Sequence, residues 1–510
     1  MGNDKSKEAK NEELKKIGEK SREDNENIQK FDLNIKLTNE IIVDELKTNP
    51  EKDYKMEKHL GDGIYSSVYI VSSKLTGENR VMKIIDKSKI YTDESEKKII
   101  NELSILQKMD HPNILKIFEF YTTPKSYNLI IELCSGGKLV EELTEKGTLN
   151  EKSVAYIIYQ LLNAINYCHK MKIIHRNLKP ENILISKREK DDLLYVKIGG
   201  FATAKMNEEG IIEKKIKETS YYFAPEIISN NYDEKCDIWS IGVIMYLLLS
   251  GRLPFSGEND IEINEKILKG KYDLKISAFK NISLEAIDLI KNLLIVNPLA
   301  RINAKDALNH IWFQKLKIKE LFNEIKNKNT IQKLLENLKN YKSNSIIQET
   351  ALAYLVHNFP QLISVINACK LFNIIDNDND GKIKSKELYN GIKKFINNDN
   401  LESDCEEIFK KLDMDNNGYI QYEEFVRAAV NKRKFLDEKI LKFAFNFFDK
   451  DENGEISFEE IEKVFKSSVP DPKNVHLVLF KIINEVDSNN DGKISFEEFC
   501  FAMKKLIKNE

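Results

Sequence analysis

The chain has 510 residues, which at about 100 to 200 residues per domain implies two to four domains and excludes a single small module. With 41% hydrophobic and 32% charged residues, it has the composition of a soluble globular protein, neither collagenous nor disordered overall. Lys and Arg number 79 against 82 Asp and Glu, a formal net charge of −3, so no bulk positive field draws nucleic acid and none is expected as a partner.

Six cysteines (Cys134, Cys168, Cys236, Cys369, Cys405 and Cys500) lie far apart with no C-x-x-C pair. That spacing argues against a disulfide framework or a zinc site and for a reducing compartment. There is no apolar run of about 18 residues and no signal-peptide core, so a cytoplasmic location is expected.

Residues 1–53 are dense in Lys, Glu, Asn and Asp and read as a charged, solvated or partly helical tail. Its start, Met1-Gly2-Asn3-Asp4-Lys5-Ser6, fits the pattern for myristate on Gly2, although Asp4 is an untidy fit and no nearby Cys offers a second lipid. One acyl chain binds a bilayer with an association constant on the order of 10⁴ M⁻¹, so any membrane association it gave would be weak and reversible.

From Tyr54 the texture changes. Val68-Tyr69-Ile70-Val71 and Val81-Met82-Lys83-Ile84-Ile85 are strand-like runs, and helical periodicity begins near Ser95. This mixed region extends to residue 313 and carries an ordered series of motifs. First comes Leu60-Gly61-Asp62-Gly63-Ile64-Tyr65-Ser66-Ser67-Val68, then Lys83, then Glu102 on a predicted helix. His175-Arg176-Asn177-Leu178-Lys179-Pro180-Glu181-Asn182, Ala224-Pro225-Glu226 and Asp237-Ile238-Trp239-Ser240-Ile241-Gly242 follow.

In this order the motifs resemble those of a protein kinase domain, which implies a bilobal α+β fold. The resemblance implies that a glycine-rich loop around Leu60, Gly61, Gly63 and Val68 covers ATP phosphates, where missing side chains let backbone N–H groups approach the anion. It also implies that Val81 and Leu184 border the nucleotide, that Lys83 holds phosphate with Glu102 as its ion partner, and that Lys179 and Asn182 serve the catalytic loop. Glu226 with Arg301, and Asp237, correspond to scaffold positions.

Residues 314–360 are helical in period, with Leu334, Leu335, Leu338 and Tyr341 at three- and four-residue spacings. Their first part sets Lys315, Lys317 and Lys319 among Leu316, Ile318, Leu321 and Phe322.

From residue 361 to 510 one pattern recurs four times, beginning at Asp376, Asp413, Asp449 and Asp487, with separations of 37, 36 and 38 residues. The first loop offers Asp376, Asp378 and Asp380 at positions 1, 3 and 5, Gly381 at 6, the Lys382 carbonyl at 7 and Glu387 at 12. The second offers Asp413, Asp415, Asn417, Gly418, Tyr419 and Glu424; the third Asp449, Asp451, Asn453, Gly454, Glu455 and Glu460. The fourth offers Asp487, Asn489, Asp491, Gly492, Lys493 and Glu498. Ca²⁺ takes about six to eight hard oxygen ligands, needs a sharp turn at position 6 and is closed by a bidentate Glu at 12, so these are four EF-hand loops with four expected Ca²⁺ sites. Position 8 (Ile383, Ile420, Ile456, Ile494) reads as core that pairs the loops. Phe443, Phe445, Phe447 and Phe448 read as core, with a docking role conditional on calcium opening the helix pair.

A kinase-like region, a helical connector and four EF-hands together resemble the calcium-dependent protein kinase family. The resemblance implies Ser/Thr phosphotransfer to a protein substrate and a connector that inhibits until calcium rearranges it. The basic 315–322 stretch suits a calmodulin-like groove, with an ordinary packed linker helix as the alternative.

Three departures bear on the chemistry. Asn177 stands where the family has the catalytic Asp, and an amide cannot accept the substrate hydroxyl proton as a carboxylate does. Gly200-Phe201-Ala202 stands where the family has Asp-Phe-Gly, so the Mg²⁺-binding carboxylate is missing. Ser66, Val81 and Lys138 replace a glycine, an alanine and a glutamate of the family pattern. Asp191, Asp192, Glu208 and Glu209 are nearby in sequence, but no spacing places them at the phosphates. ATP and Mg²⁺ therefore stay open. Three readings stand: a calcium-responsive pseudokinase acting by docking or scaffolding, an active Ser/Thr kinase with an atypical centre, and a calcium sensor carrying an inert kinase-shaped passenger.

Overall fold

Runs of β-branched and aromatic residues between Tyr54 and Ile131 close into one twisted sheet in the computed structural model. It describes residues 42–43, 45–63, 65–206, 221–229, 231–322, 325, 328–342, 345–378, 380–396, 400–413, 417–465 and 475–506. The strands are β1 (Glu45–Leu46), β2 (Tyr54–Asp62), β3 (Ser66–Ser73), β4 (Asn79–Asp86), β5 (Ile117–Thr122) and β6 (Ser126–Ile131), in the order β1-β5-β6-β4-β3-β2. Every pairing is antiparallel except β1 with β5. Helix α1 (Asp93–Lys108) starts at Thr92, whose hydroxyl accepts the Ser95 N–H, and brings Glu102 toward β4.

The larger lobe contains α2 (Leu139–Lys146), α3 (Glu151–Lys170), β7 (Ile173–Ile174), β8 (Ile183–Arg188), β9 (Leu194–Ile198) and β10 (Lys205–Met206). It continues with α4 (Pro225–Ile228), α5 (Lys235–Ser250), α6 (Asp260–Lys269), α7 (Leu284–Leu293), α8 (Ala304–Leu308) and α9 (Ile311–Lys315). α3 and α5 are buried along most of their length, as their nearly all-round apolar sequences require. The two-stranded pieces β8–β9 and β7–β10 hold the loop at residues 175–182 against this helical base.

The expected tail ends earlier than residue 53. Ile42 and Val43 are buried, the Gln107 side chain donates to the Val43 carbonyl at 2.6 Å, and Glu45–Leu46 pair with Phe120–Tyr121. A two-residue strand flanked by charges has no periodicity to reveal it. Gly2 lies outside the described residues.

Helices α10 (Ile318–Phe322), α11 (Lys328–Lys339) and α12 (Ile346–Asn358) form the connector. The EF-hand region follows as α13 (Ile363–Ile375), β11 (Lys382–Ile383), α14 (Ser385–Ile392), α15 (Leu401–Leu412), β12 (Ile420–Gln421) and α16 (Tyr422–Ala429). Its second half is α17 (Glu438–Phe448), β13 (Glu455–Ile456), α18 (Phe458–Phe465), α19 (Val475–Asn484), β14 (Ile494–Ser495) and α20 (Phe496–Lys505). The position-8 isoleucines are the bridges expected of them: Ile383 pairs with Ile420, and Ile456 with Ile494.

The connector meets the EF-hands at both ends, with its last helix making the more extensive packing. The basic stretch packs on the kinase side, with Ile318 buried, α9 and α10 on α3 and Lys315 paired with Glu285, and it touches the first EF-hand loop through Lys319, whose Nζ donates to the Asn377 side-chain oxygen at 3.2 Å. α12 instead packs between α16 and α17, its Tyr354 ring 5.1 Å from that of Phe443 and 4.5 Å from that of Phe447. The sequence of α12, Ile-Ile-Gln-Glu-Thr-Ala-Leu-Ala-Tyr-Leu-Val-His-Asn, is apolar on most sides, so burial between two helix pairs satisfies it better than a surface would. Leu334, Leu335, Leu338 and Tyr341 are buried, as their spacing predicts. Among the described residues no helix is long and apolar enough to cross a membrane.

Candidate functional site

Two sets of candidate residues come together, one in the interlobe cleft and one in the acidic loops. In the cleft, the β3–β4–β6 register sets Lys83 between Val68 and Leu129, and its Nζ lies 3.0 Å from Glu102 Oε2. Leu60, on β2, is exposed, Val68 and Leu184 are half-buried and Val81 is buried. Gly61 has φ +156°, and the Gly63 N–H donates to the Ser66 carbonyl at 2.6 Å, where a Cβ would meet the Ser66 hydroxyl at 2.9 Å.

The 175–182 loop is fixed from below. Asp237, fully buried, accepts the His175 and Arg176 amide N–H groups at 2.9 and 2.8 Å and contacts His169 Nε2 at 3.0 Å. Burial opposes its charge, but the His169 hydrogen bond and the neighbouring imidazoles hold the carboxyl below its usual range. The His175 ring donates to the Gly199 carbonyl at 3.0 Å and meets the Phe201 ring edge-on at 4.5 Å. These contacts, together with the Arg176 bond to the Thr203 carbonyl at 2.6 Å, tie the catalytic loop to the 199–203 turn; motif reading alone did not identify them.

Asn177 and Lys179 are half-buried on this loop. The Asn182 side-chain amide donates to the Asn177 carbonyl at 2.8 Å. Gly200 is left-handed, at φ +79° and ψ +42°, and a Cβ placed on it would lie 2.6 Å from Asn182 Cγ and 2.8 Å from its Oδ1. Asn182 thus fills the space from which a residue-200 side chain would project. A divalent metal at the phosphates fits this donor set poorly: neither Asn177 nor Gly200 has a carboxylate, and what Asn182 offers is a neutral amide oxygen, its Nδ2 donating to the Asn177 carbonyl.

Asp191 and Asp192 do not substitute, because Asp192 pairs with Lys146 and Arg188 at the β8–β9 turn and Asp191 faces Lys152. Glu208 and Glu209 lie outside the described residues. Lys138 is the N-cap of α2 and bridges to Leu184. The scaffold pair is present: Arg301, 1% exposed, makes two hydrogen bonds to the Glu226 carboxylate, one of them 2.9 Å.

In the loops, all four position-6 glycines are left-handed, which is the turn the ligand geometry needs. The first-position aspartates accept loop amides: Asp376 from Asp380 and Gly381, Asp413 from Asn417 and Gly418, Asp449 from Gly454, and Asp487 from Asn490 and Gly492. Carboxylate oxygens of Asp376, Asp378 and Asp380 converge within 4.8 Å, as do those of Asp449, Asp451 and Glu460. Asp378 Oδ1 and Asp449 Oδ1 are buried with no hydrogen-bond partner. Burial pushes the Asp376 carboxyl up to about 7, against hydrogen bonds from the Gly381 and Asp380 amides, and the Asp380 and Asp378 charges add to the rise. Such oxygen-only, charge-crowded cradles fit Ca²⁺. Asp415 lies outside the described residues.

The position-12 glutamates of the third and fourth loops are held differently from that of the first. Glu460 reaches back to the Lys450 and Asp451 amides, and Glu498 to the Ser488 and Asn489 amides. Glu387 accepts the N-cap amide of its own helix, that of Lys384, and makes no other hydrogen bond among the described residues, and Glu424 likewise accepts the Gln421 amide. Burial opposes the charge on Glu498, yet bonds from Ser495 and Ser488 bring it down to about 2.

The two sites are joined through α12. Arg427 of the second hand pairs with Glu349 at 3.1 Å and reaches the Tyr341 hydroxyl at 3.3 Å, all three buried. At the other end, His357 Nε2 donates to the Ile117 carbonyl at 2.8 Å and Arg80 bonds to the Asn358 carbonyl. Glu119, buried behind β5, accepts the Tyr54 and Tyr121 hydroxyls at 2.8 and 2.9 Å, with Tyr354 of α12 as a further partner. Lys52 pairs with Glu452 in the third loop. Apart from Glu452 in the third loop, none of these partners belongs to a named motif, and long-range pairing identifies them.

Residues 54–313 match the protein kinase domain family, and residues 367–430 and 438–504 match the EF-hand domain pair. The chain is 34% identical to Calcium-dependent protein kinase 4 of Plasmodium berghei (strain Anka) over 488 residues, covering 93% of this chain and 90% of that protein. It is 36% identical to Calcium-dependent protein kinase 5 of Plasmodium falciparum (isolate 3D7) over 451 residues, 88% of this chain and 78% of that one. Calcium-dependent protein kinase 9 of Arabidopsis thaliana is 33% identical over 454 residues, 88% and 81% respectively. With both domains matched in order and relatives aligned over most of its length, the chain belongs to the calcium-dependent protein kinase family.

Proposed function

We propose that this chain is a calcium-responsive pseudokinase: four loops bind Ca²⁺, and the change passes through α12 to a kinase-shaped surface that docks a protein partner. The observation that carries the reading is the pair Asn177 and Gly200, with Asn182 lying where a residue-200 side chain would project. General-base assistance is worth about 10²- to 10⁴-fold, and loss of the metal-bridged phosphate removes further electrostatic stabilisation. The chain's own residues retain positioning roles: Lys83 and Glu102 hold the phosphate-facing ammonium, and Asp237 and His175 hold the loop. Weak membrane association through a myristoylated Gly2 belongs to the same reading, and mass measurement of the N-terminal peptide tests it.

A second reading, an active Ser/Thr kinase with an atypical centre, is favoured by the assembled Lys83–Glu102 pair and the His175–Phe201 contact. Transfer of labelled phosphate from ATP to a basic peptide, with calcium and with chelator, separates the two. The pseudokinase reading expects no transfer above a Lys83→Met control.

A further inference from the structure

The cleft has lost its two acidic positions but not its basic ones, and that imbalance changes what it can bind. Building on the non-catalytic reading above, we propose that the cleft binds a nucleoside triphosphate without a divalent cation, with Lys83 and Lys179 supplying the positive charge at the phosphates.

A triphosphate is a compact polyanion. Carboxylates at its phosphates repel it through the low effective dielectric of a cleft unless a cation bridges the two. Here both acidic positions are neutral: Asn177 offers an amide and Gly200 offers no side chain. Lys83, Glu102 and Lys179 leave one net positive charge, where aspartates at 177 and 200 would leave one net negative charge. The repulsion that normally makes the metal necessary is therefore absent.

The remaining geometry favours direct contact. Lys83 is an ammonium with three donors; Glu102 at 3.0 Å takes one and aims the group, leaving donors for phosphate oxygens. Lys179 is half-buried two residues beyond Asn177 and has no carboxylate partner among the described residues. Asn182 fills the place of a residue-200 side chain with its Nδ2 donating to the Asn177 carbonyl, so it offers a metal a single neutral amide oxygen. A divalent cation entering here would find no carboxylate at position 177 or 200 and one amide oxygen at 182, and would add little to ligand binding.

The test is titration of the full-length chain with a fluorescent ATP analogue. Free calcium is buffered at one micromolar-range level in every sample, so the EF-hands stay in one state while magnesium is omitted or supplied in excess. The expected affinities with and without magnesium agree within about threefold, and Lys83→Met weakens binding by about tenfold or more in both buffers. Gly200→Asp, which restores one carboxylate, should make binding magnesium-dependent by about fivefold or more. Binding by the unaltered chain that requires magnesium, or no binding in either buffer, overturns the proposal without recourse to any variant. Phosphate transfer is read in the same samples: magnesium-dependent binding without transfer defeats this inference alone, whereas transfer defeats the pseudokinase reading.

Discussion

Asn182 and Gly200 compete for one volume: a Cβ on residue 200 would lie 2.6 Å from Asn182 Cγ. The contact is with the end of a side chain rather than with backbone, so it can be relieved by rotation about the Asn182 side-chain bonds, at the expense of the 2.8 Å bond to the Asn177 carbonyl. The absent side chain at residue 200 and the position of Asn182 are thus sterically linked.

Restoring both acids is therefore expected to restore chemistry. Asn177→Asp with Gly200→Asp should raise phosphate transfer by about a hundredfold or more over the unaltered chain. A non-glycine residue at φ +79° costs about 1 kcal/mol, so the double variant should melt slightly lower. No gain in transfer would mean that Val81, Ser66 or Lys138 also blocks the reaction.

Calcium stoichiometry follows from the loops. Glu460→Gln or Glu387→Gln removes half of a bidentate closing ligand, and calorimetric titration should fall from about four ions per chain to about three. Because Glu460 already reaches the Lys450 and Asp451 amides, its replacement should also lower the stability of the metal-free chain, whereas Glu387→Gln should leave that stability nearly unchanged. Equal effects on the metal-free chain would contradict this difference between the third and first loops.

Coupling between the halves depends on α12. Tyr354→Ala removes a ring stacked on Phe443 and Phe447 and should cost about 3 kcal/mol. Calcium-induced change in hydrogen exchange at β5 should shrink in this variant, while calcium binding persists. Exchange changes confined to residues 361–510 in the unaltered chain would instead support a sensor with a passive kinase fold.

The buried Glu119 gives a pH dependence. Burial raises its carboxyl above the ordinary glutamate value of about 4.3, against the hydrogen bonds from Tyr54 and Tyr121, with Asp53 adding to the rise and Arg80 opposing it. The folded state therefore binds the proton more tightly than the unfolded one, so its contribution is greatest below the unfolded value and is lost as pH rises through the raised folded value. Denaturant unfolding across that window should show stability falling with pH, and Glu119→Gln should flatten the slope. An unchanged slope would exclude Glu119 as its source.

The EF-hand loops were legible because ligand spacing is fixed by the ion: Asp376 to Glu387 could be assigned without any packing information. The Lys83–Glu102 pair and the Asp237 anchor were legible by resemblance. The connector was legible only in part: Lys319 of the basic stretch does reach the first EF-hand loop, but α12, buried on most sides, has little of the polar face that a groove-binding reading looks for. The Ile42–Leu46 segment was hidden by its charged neighbours, and no pattern encodes the contact of Asn182 with the Asn177 carbonyl.

The central claim is that the cleft no longer transfers phosphate while the loops still respond to calcium. Its most direct test is incorporation of labelled phosphate into a basic peptide by the purified full-length chain, with calcium and with chelator, alongside Lys83→Met. The account predicts equal background in all samples; calcium-stimulated incorporation that approaches one phosphate per peptide and disappears in Lys83→Met would contradict it.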